Sequence, residues 1–255
     1  MKTAVVTGGN KGVGRGIVYK LINAGINVCF TYNSNEEYAV ETLNEAEKIN
    51  KSCVCSFKCD VTQNDQVEAL MQTASERFGG IDILINNAAL QKNMPFHLYN
   101  ADQFKQIWDI NIGGYLSCMR ACFKYLKASP CPRVVNVSSV HAKRPAQFDP
   151  VYAVTKSAVK MLTREAAVEW GQYKITVNCI ELGATLIEQK TGLNFPMKPK
   201  TELDEERFAF YRKSLLLGRT VMPSDAGELV LFLVSEKAEI ITGSAIRMDG
   251  GNILR

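Results

Sequence analysis

The sequence predicts a doubly wound α/β fold. Short β-branched runs alternate with helical patterns along all 255 residues, and the first run leads straight into a glycine-rich turn that opens a helix. The polar residues richest in chemistry fall just past the ends of predicted strands, the edge where such sheets receive ligands. At this length one domain buries a full core, and no repeat, low-complexity tract or linker divides the chain.

Composition narrows the function classes. An apolar content of 46% and a charged content of 22% are those of a soluble globular protein. The net charge of +4 is small and scattered, which argues against nucleic acid or a membrane surface as partner. No apolar run reaches bilayer-spanning length. The chain opens Met1-Lys2-Thr3 and enters a strand at once, so no signal peptide is expected. Eight cysteines invite a disulfide or zinc reading. Cys53, Cys55 and Cys59 alternate along a predicted strand, however, where residues two apart are separated by about 7 Å. Thiolates sharing a zinc sit about 4 Å from each other. No C-x-x-C occurs, and Cys118 and Cys122, one helical turn apart, read as small core or interface residues. The expectation is a reduced, cytoplasmic protein without a metal.

Thr3–Thr7 is the first strand. It ends in Gly8-Gly9-Asn10-Lys11-Gly12-Val13-Gly14, after which Ile17, Val18, Leu21 and Ile22 mark one stripe of a helix. Strand, glycine turn and helix N-terminus form the geometry that receives a pyrophosphate; the glycines serve a tight turn, close backbone approach and close packing. The second strand, Asn27–Tyr32, ends without the Asp or Glu that would bind a ribose 2′-hydroxyl. Tyr32, Asn33 and Ser34 stand there instead, and Lys11 offers a cation to a 2′-phosphate. This favours NADP(H), with use of NAD(H) left open.

A helix over Glu36–Asn50 leads to a strand over Ser52–Lys58 and to Asp60-Val61-Thr62. Asp60 either accepts from an adenine amino group or caps the next helix, Asp65–Phe78. The strand Ile81–Ile85 runs into Asn86-Asn87-Ala88-Ala89, small enough for backbone to approach a ligand. A long helix, Ala101–Ala128, carries Asn111 and Gly113-Gly114 in mid-run, at a cost in helix stability. Two readings stand: a local kink, or a carbonyl freed to hold a water. The strand Arg133–Ser138 and the helix Val151–Gly171 flank Ser139 and Tyr152-x-x-x-Lys156, and the strand Ile175–Ile180 ends at Glu181-Leu182-Gly183-Ala184-Thr185. Residues 186–222 break the rhythm, with one helical signal over Glu202–Ser214, and read as a loop covering the cleft. A helix over Ser224–Val234 and a strand over Ala245–Met248 precede Asp249-Gly250-Gly251.

Tyr152 and Lys156 are four residues apart, so on a helix their side chains emerge on one face, about 6 Å apart. An ammonium beside a phenol favours the phenolate, and a tyrosine so tuned trades a proton with an alcohol or carbonyl near neutral pH. Ser139 ends the buried run Val134–Val137 and delivers a hydroxyl to the same edge.

Together, Thr7-Gly8-x-x-x-Gly12-x-Gly14, Asp60, Asn86-Asn87-Ala88, Asn111, Ser139, Tyr152-x-x-x-Lys156 and Asp249-Gly250-Gly251 resemble the short-chain dehydrogenase/reductase family, in order and over the whole chain. The resemblance implies one Rossmann domain with a seven-stranded parallel sheet, and usually a homotetramer joined through the helices of Asn111 and Tyr152. It implies hydride transfer between nicotinamide and a carbinol or carbonyl carbon of a small-molecule substrate. Tyr152 would exchange the hydroxyl proton and Ser139 hold the substrate oxygen. Lys156 would lower the Tyr152 pKa and bind the nicotinamide ribose, and Asn111 fix a relay water. The implied cofactor contacts are Gly8, Asn10, Lys11, Gly12, Val13, Gly14, Tyr32, Asn33, Ser34, Asp60, Val61, Asn87, Ala88, Tyr152, Lys156, Gly183 and Thr185, and the implied substrate contacts are Gln91 and His141.

Within the family, Ser138-Ser139-Val140-His141 looks most like bacterial glucose 1-dehydrogenases and 3-oxoacyl-carrier-protein reductases. The chain departs from their pattern at Ala89 for Gly, Leu182 for Pro, Gln91 and Ala142 for glutamates, and in the longer 186–222 segment. Three functions follow. First is an NADP(H)-linked sugar or polyol dehydrogenase. Second is a 3-oxoacyl thioester reductase, with Arg120, Lys124 and Lys127 as a docking patch. Third is a nucleotide-binding regulator on the same fold.

Overall fold

Strand β1 (Thr3–Val6) sits at the centre of the sheet because both its faces are apolar. Ala4 and Val6 point into one core cluster and Val5 into the other. The computed structural model describes residues 1–50, 53–145, 149–185, 206, 209–210 and 213–254. The expected covering loop 186–222 and its helix Glu202–Ser214 lie largely outside these. Around β1 run β2 (Asn27–Tyr32), β3 (Val54–Lys58), β4 (Ile83–Asn86), β5 (Arg133–Ser139), β6 (Thr176–Leu182) and β7 (Ala245–Met248), all parallel, in the order β3-β2-β1-β4-β5-β6-β7. This is the seven-stranded sheet that the resemblance implies. The order reverses beside β1, and a crevice opens there, outside the strands' C-terminal ends.

Helices cover both faces, so the parallel strands are buried on both sides. On one face α1 (Gly12–Asn23), α2 (Glu36–Asn50) and α7 (Pro223–Leu233) pack Ile17, Leu21, Val230 and Leu233 onto the sheet. On the other, α3 (Asn64–Phe78), α5 (Gly114–Ala128) and α6 (Pro150–Trp170) contribute Leu70, Met71, Cys118, Cys122 and Ala166. α1 and α7 approach closely because Gly16 has no side chain: a Cβ there would lie 2.5 Å from the Pro223 backbone. Gly16→Ala is therefore expected to destabilise by ~1–3 kcal/mol, as overpacking does, even though alanine is the better helix former. Denaturant melting reads this, and a variant as stable as the parent would show that the two helices part freely.

Three elements differ from expectation. The long helix is interrupted: α4 (Ala101–Trp108) passes through a wide π turn, Asp109–Gly113, before α5 begins. The cause is Asn111, which is wholly buried and whose side chain is drawn to partners outside the helix. β6 continues two residues beyond Ile180, through Leu182, by pairing Glu181 with Ser138 and Leu182 with Ser139. Finally, Asp60 does not cap α3. Its Oδ1 accepts from the Thr62 amide and hydroxyl, closing a turn, while the N-cap Gln63 makes no side-chain cap bond. No helix among the described residues is long and apolar enough to cross a membrane.

Candidate active site

The glycine turn is shaped as a cradle. Gly8 and Gly12 adopt φ of 63° and 54°, which only glycine does at little cost. At Gly14 a Cβ would meet the Gly8 carbonyl oxygen at 2.2 Å. The turn is pinned from three sides. The Gly8 amide donates to Thr31 Oγ1 at 3.0 Å, and Asn87 Nδ2 donates to the Thr7 and Gly8 carbonyls at 2.9 and 3.0 Å. Arg15 donates to the Asn10 carbonyl and, at 3.1 Å, to the Glu41 carboxylate. The α1 N-terminus carries neither a side-chain cap bond nor an acid in its first turn. Free amides at a positive helix end, with no side chain in the way, fit the pyrophosphate of a dinucleotide.

From this cradle a cleft of about 1160 Å³ runs along the C-terminal edge to β5 and α6. It is lined by every expected cofactor contact except one. Tyr32 faces the other way, packed on the α1 side of the sheet and hydrogen-bonded to Glu36, while Thr31 and Asn33 line the cleft. The reason is strand parity, since successive side chains point to opposite faces. Arg15 and Thr31 are lining residues that motif reading passed over. Arg15 follows Gly14 directly, and that adjacency was the available signal.

At the far end Ser139, Tyr152 and Lys156 meet. Ser138 Oγ donates to the Lys156 carbonyl at 2.8 Å and so fixes α6 against β5. Buried Asn86, Asn136 and Thr163 extend this tie as a hydrogen-bonded chain across β4, β5 and α6. Asn111 lies behind the cleft. Its side chain accepts from the Leu90 amide and donates to the Leu90 carbonyl and to Thr155 Oγ1, which in turn donates to the Tyr152 carbonyl at 2.8 Å. It thus couples the loop after β4 to the turn of α6 that carries Tyr152.

The electrostatics correct one expectation. The hydrogen bonds of Lys156 Nζ go to groups other than the Tyr152 phenol. Nζ donates to the Val137 carbonyl at 2.8 Å and lies 3.3 Å from Tyr115 Oη and 5.5 Å from the centre of the Tyr152 ring. Burial alone brings its amine down to about 7. Tyr152 is pushed up to about 12, first by burial and then by the Asp149 carboxylate, with a hydrogen bond to Ser139 acting the other way.

Gln91 and His141 line the cleft beside Tyr152, and the His141 ring meets the Tyr152 ring edge to face at 5.9 Å. Behind them stands Asp149, which accepts from Gln91 Nε2 at 2.5 Å and lies 3.4 Å from His141 Nδ1. Among the described residues no cluster of His, Cys, Asp and Glu is arranged to hold a metal.

Residues 8–252 match the family described as enoyl-(acyl carrier protein) reductase. A 3beta-hydroxysteroid dehydrogenase from Eggerthella lenta is 32% identical over 254 residues, 99% of this chain and 94% of its own length. An L-rhamnose 1-dehydrogenase (NADP(+)) from Thermoplasma acidophilum is 31% identical over 257 residues, covering 99% of this chain and 96% of its own. The crystal structure of a 3-ketoacyl-(acyl-carrier-protein) reductase from Brucella melitensis, complexed with NADH, superposes with a TM-score of 0.85 at 26% identity, over 98% of each chain. Whole-length likeness at both levels settles the kinship: the chain belongs to the short-chain dehydrogenase/reductase family, nicotinamide-dependent oxidoreductases acting on CH–OH groups.

Proposed function

We propose that this chain is an NADP(H)-preferring dehydrogenase that interconverts a secondary alcohol and its ketone, with sugars or polyols as the substrate class. The observation that carries the proposal is the placement of Ser139, Tyr152 and Lys156 on the same cleft as the glycine cradle. A bound nicotinamide supplies or receives the hydride. Tyr152 Oη exchanges the hydroxyl proton: a phenol at about 12 keeps its proton near neutrality and is placed to give it to a carbonyl oxygen. Ser139 Oγ holds that oxygen in line, Lys156 holds the nicotinamide ribose, and Asn111 positions the α6 turn and its relay water. Gly8, Asn10, Gly12, Val13 and Gly14 receive the pyrophosphate, Asp60 and Val61 the adenine, and Asn87, Ala88, Gly183 and Thr185 the nicotinamide half.

NADP(H) preference rests on what faces the cleft past β2. Asn33 and Ser34 are neutral, Lys11 is exposed at the turn, Glu41 is paired with Arg15, and Glu36 is turned to Tyr32. A charge-assisted hydrogen bond from Lys11 contributes about 1.5–3 kcal/mol. Lys11→Ala is therefore expected to weaken NADP(H) by about 10–100-fold and NAD(H) hardly at all; equal weakening of both would remove Lys11 from the preference.

A screen that follows nicotinamide absorbance, crossing both cofactors with sugars, polyols and acetoacetyl thioesters, tests the substrate class. Turnover of the thioester alone would favour the acyl-carrier reading. Its docking patch is thinly supported: Arg120 pairs with Glu68, and Lys124 and Lys127 lie over the rings of Tyr125 and Tyr173. Absence of turnover in every arm would favour the regulator. A homotetramer is supported by exposed Trp108, Leu116, Val154 and Met161 on α4, α5 and α6, and solution mass decides it. The eight free thiols suit the reducing cytoplasm.

A further inference from the structure

Asp149 touches neither substrate nor cofactor in the chemistry described so far, and acts there only by raising Tyr152, yet it is a buried acid beside the reacting group. It is 1% exposed and stands three residues before Tyr152, at the head of α6. One carboxylate oxygen serves Gln91 and faces His141; the other is buried without a hydrogen-bond partner. Such an arrangement is costly, and each buried polar atom left without a partner calls for an explanation.

What depends on it is the orientation of two cleft residues. His141 turns Nδ1 out of solvent and toward the carboxylate, at 3.4 Å and without the geometry of a hydrogen bond, while 28% of its side chain remains exposed. A carboxylate on that side of the ring favours the tautomer with its proton on Nδ1, which would leave Nε2 as an acceptor on the open edge. Gln91 commits its amide nitrogen to Asp149, with Asn93 Oδ1 at 3.3 Å, and so presents its oxygen elsewhere. Both residues line the cleft, and the imidazole centre is 5.9 Å from that of Tyr152, within reach of the atoms next to a carbinol held there. Two acceptors beside the reacting carbon select for hydroxyl donors.

We propose that Asp149 is a specificity-determining, positioning residue: by holding His141 and Gln91 with their acceptors toward the cleft, it commits the site to substrates carrying a second hydroxyl beside the reacting carbinol. This rests on Tyr152 being the proton-exchanging group. The substrate class is the vicinal diol, as in sugars and polyols.

The test compares oxidation of a vicinal cyclohexane diol and of cyclohexanol by the wild type, Asp149→Asn, His141→Ala and the double variant. Rates are taken on the plateau of each pH profile, so that the effect of the carboxylate charge on Tyr152 drops out. The wild type is expected to prefer the diol by about 10–100-fold, the range of a hydrogen bond to a charge-supported group. Asp149→Asn abolishes that preference, chiefly through the diol KM, and leaves cyclohexanol within about threefold and cofactor affinity unchanged. The double variant loses no more than the worse single one, because both act through one contact. A wild type indifferent to the second hydroxyl, equal losses on both alcohols, or additive losses would overturn the proposal. Reduction of an acetoacetyl thioester with neither alcohol oxidised overturns it together with the sugar or polyol class and leaves Tyr152 as the proton carrier, whereas equal or additive losses overturn it alone. Inactivity on all three probes overturns the dehydrogenase reading as well.

Discussion

Tyr152→Phe is expected to lose at least ~100-fold in turnover, the usual contribution of a positioned acid–base group, while binding cofactor within about twofold of wild type. The substitution removes one oxygen and leaves the scaffold in place. Thr155 still donates to the residue's main-chain carbonyl, and the His141 ring still has an aromatic partner. Ser139 loses the hydrogen bond that its hydroxyl shares with the phenol, which remains the only change at β5. A cofactor titration by fluorescence and a steady-state assay on one preparation separate the two effects. Turnover near that of the wild type would exclude Tyr152 as the proton carrier.

Lys156→Met is expected to act in opposite directions on activity and on stability. Burial lowers the amine from 10.5 to about 7, so between these values the folded protein holds fewer protons than the unfolded chain. Stability from this group therefore rises with pH across that window, and the full cost of a buried charge is felt below about pH 7. For a shift of this size the cost is on the order of a few kcal/mol. Methionine removes it, and the Val137 carbonyl keeps its second partner, Tyr115 Oη, at 3.0 Å. The variant should equal or exceed the wild type in stability at pH 6 and show a flatter stability profile up to pH 10. Turnover should nevertheless fall on the order of 100-fold, with weaker cofactor binding, since the ribose loses its cation. Denaturant melts across pH, beside a cofactor titration, decide it. A less stable variant with an unchanged pH slope would mean that the amine is not desolvated as described.

Among the described residues, and apart from the interrupted helix Ala101–Ala128, the strands and helices were legible to within a residue or two because local signals agreed with one another: a glycine turn after β1, β-branched runs for strands, amphipathic stripes for α1, α2 and α3. The side of a strand was less so. β2 is buried along nearly its whole length, so no alternation of polar and apolar residues revealed that Thr31 and Asn33, not Tyr32, face the cleft. The four-residue spacing of Tyr152 and Lys156 placed both side chains on one face but left the amine's destination open. That destination is set by Tyr115 and Val137, which lie far off in sequence. Asp149 was illegible for a similar reason. Its partner Gln91 is 58 residues away, and no short motif joins the two.

The wide turn Asp109–Gly113 takes one residue more to close than the α-helical turns on either side of it. Each residue rotates a helix by about 100°, so α4 and α5 keep separate angular phases: Ile107 meets the core on one, Tyr115, Cys118 and Cys122 on the other. Deleting one residue here would restore a regular ladder and at once swing one half's apolar face toward water. Asn111 would lose Leu90 and Thr155 in the same stroke. Length variation in descendants of this chain is thereby steered away from the helix and toward the loops, where an added or lost residue shifts no phase.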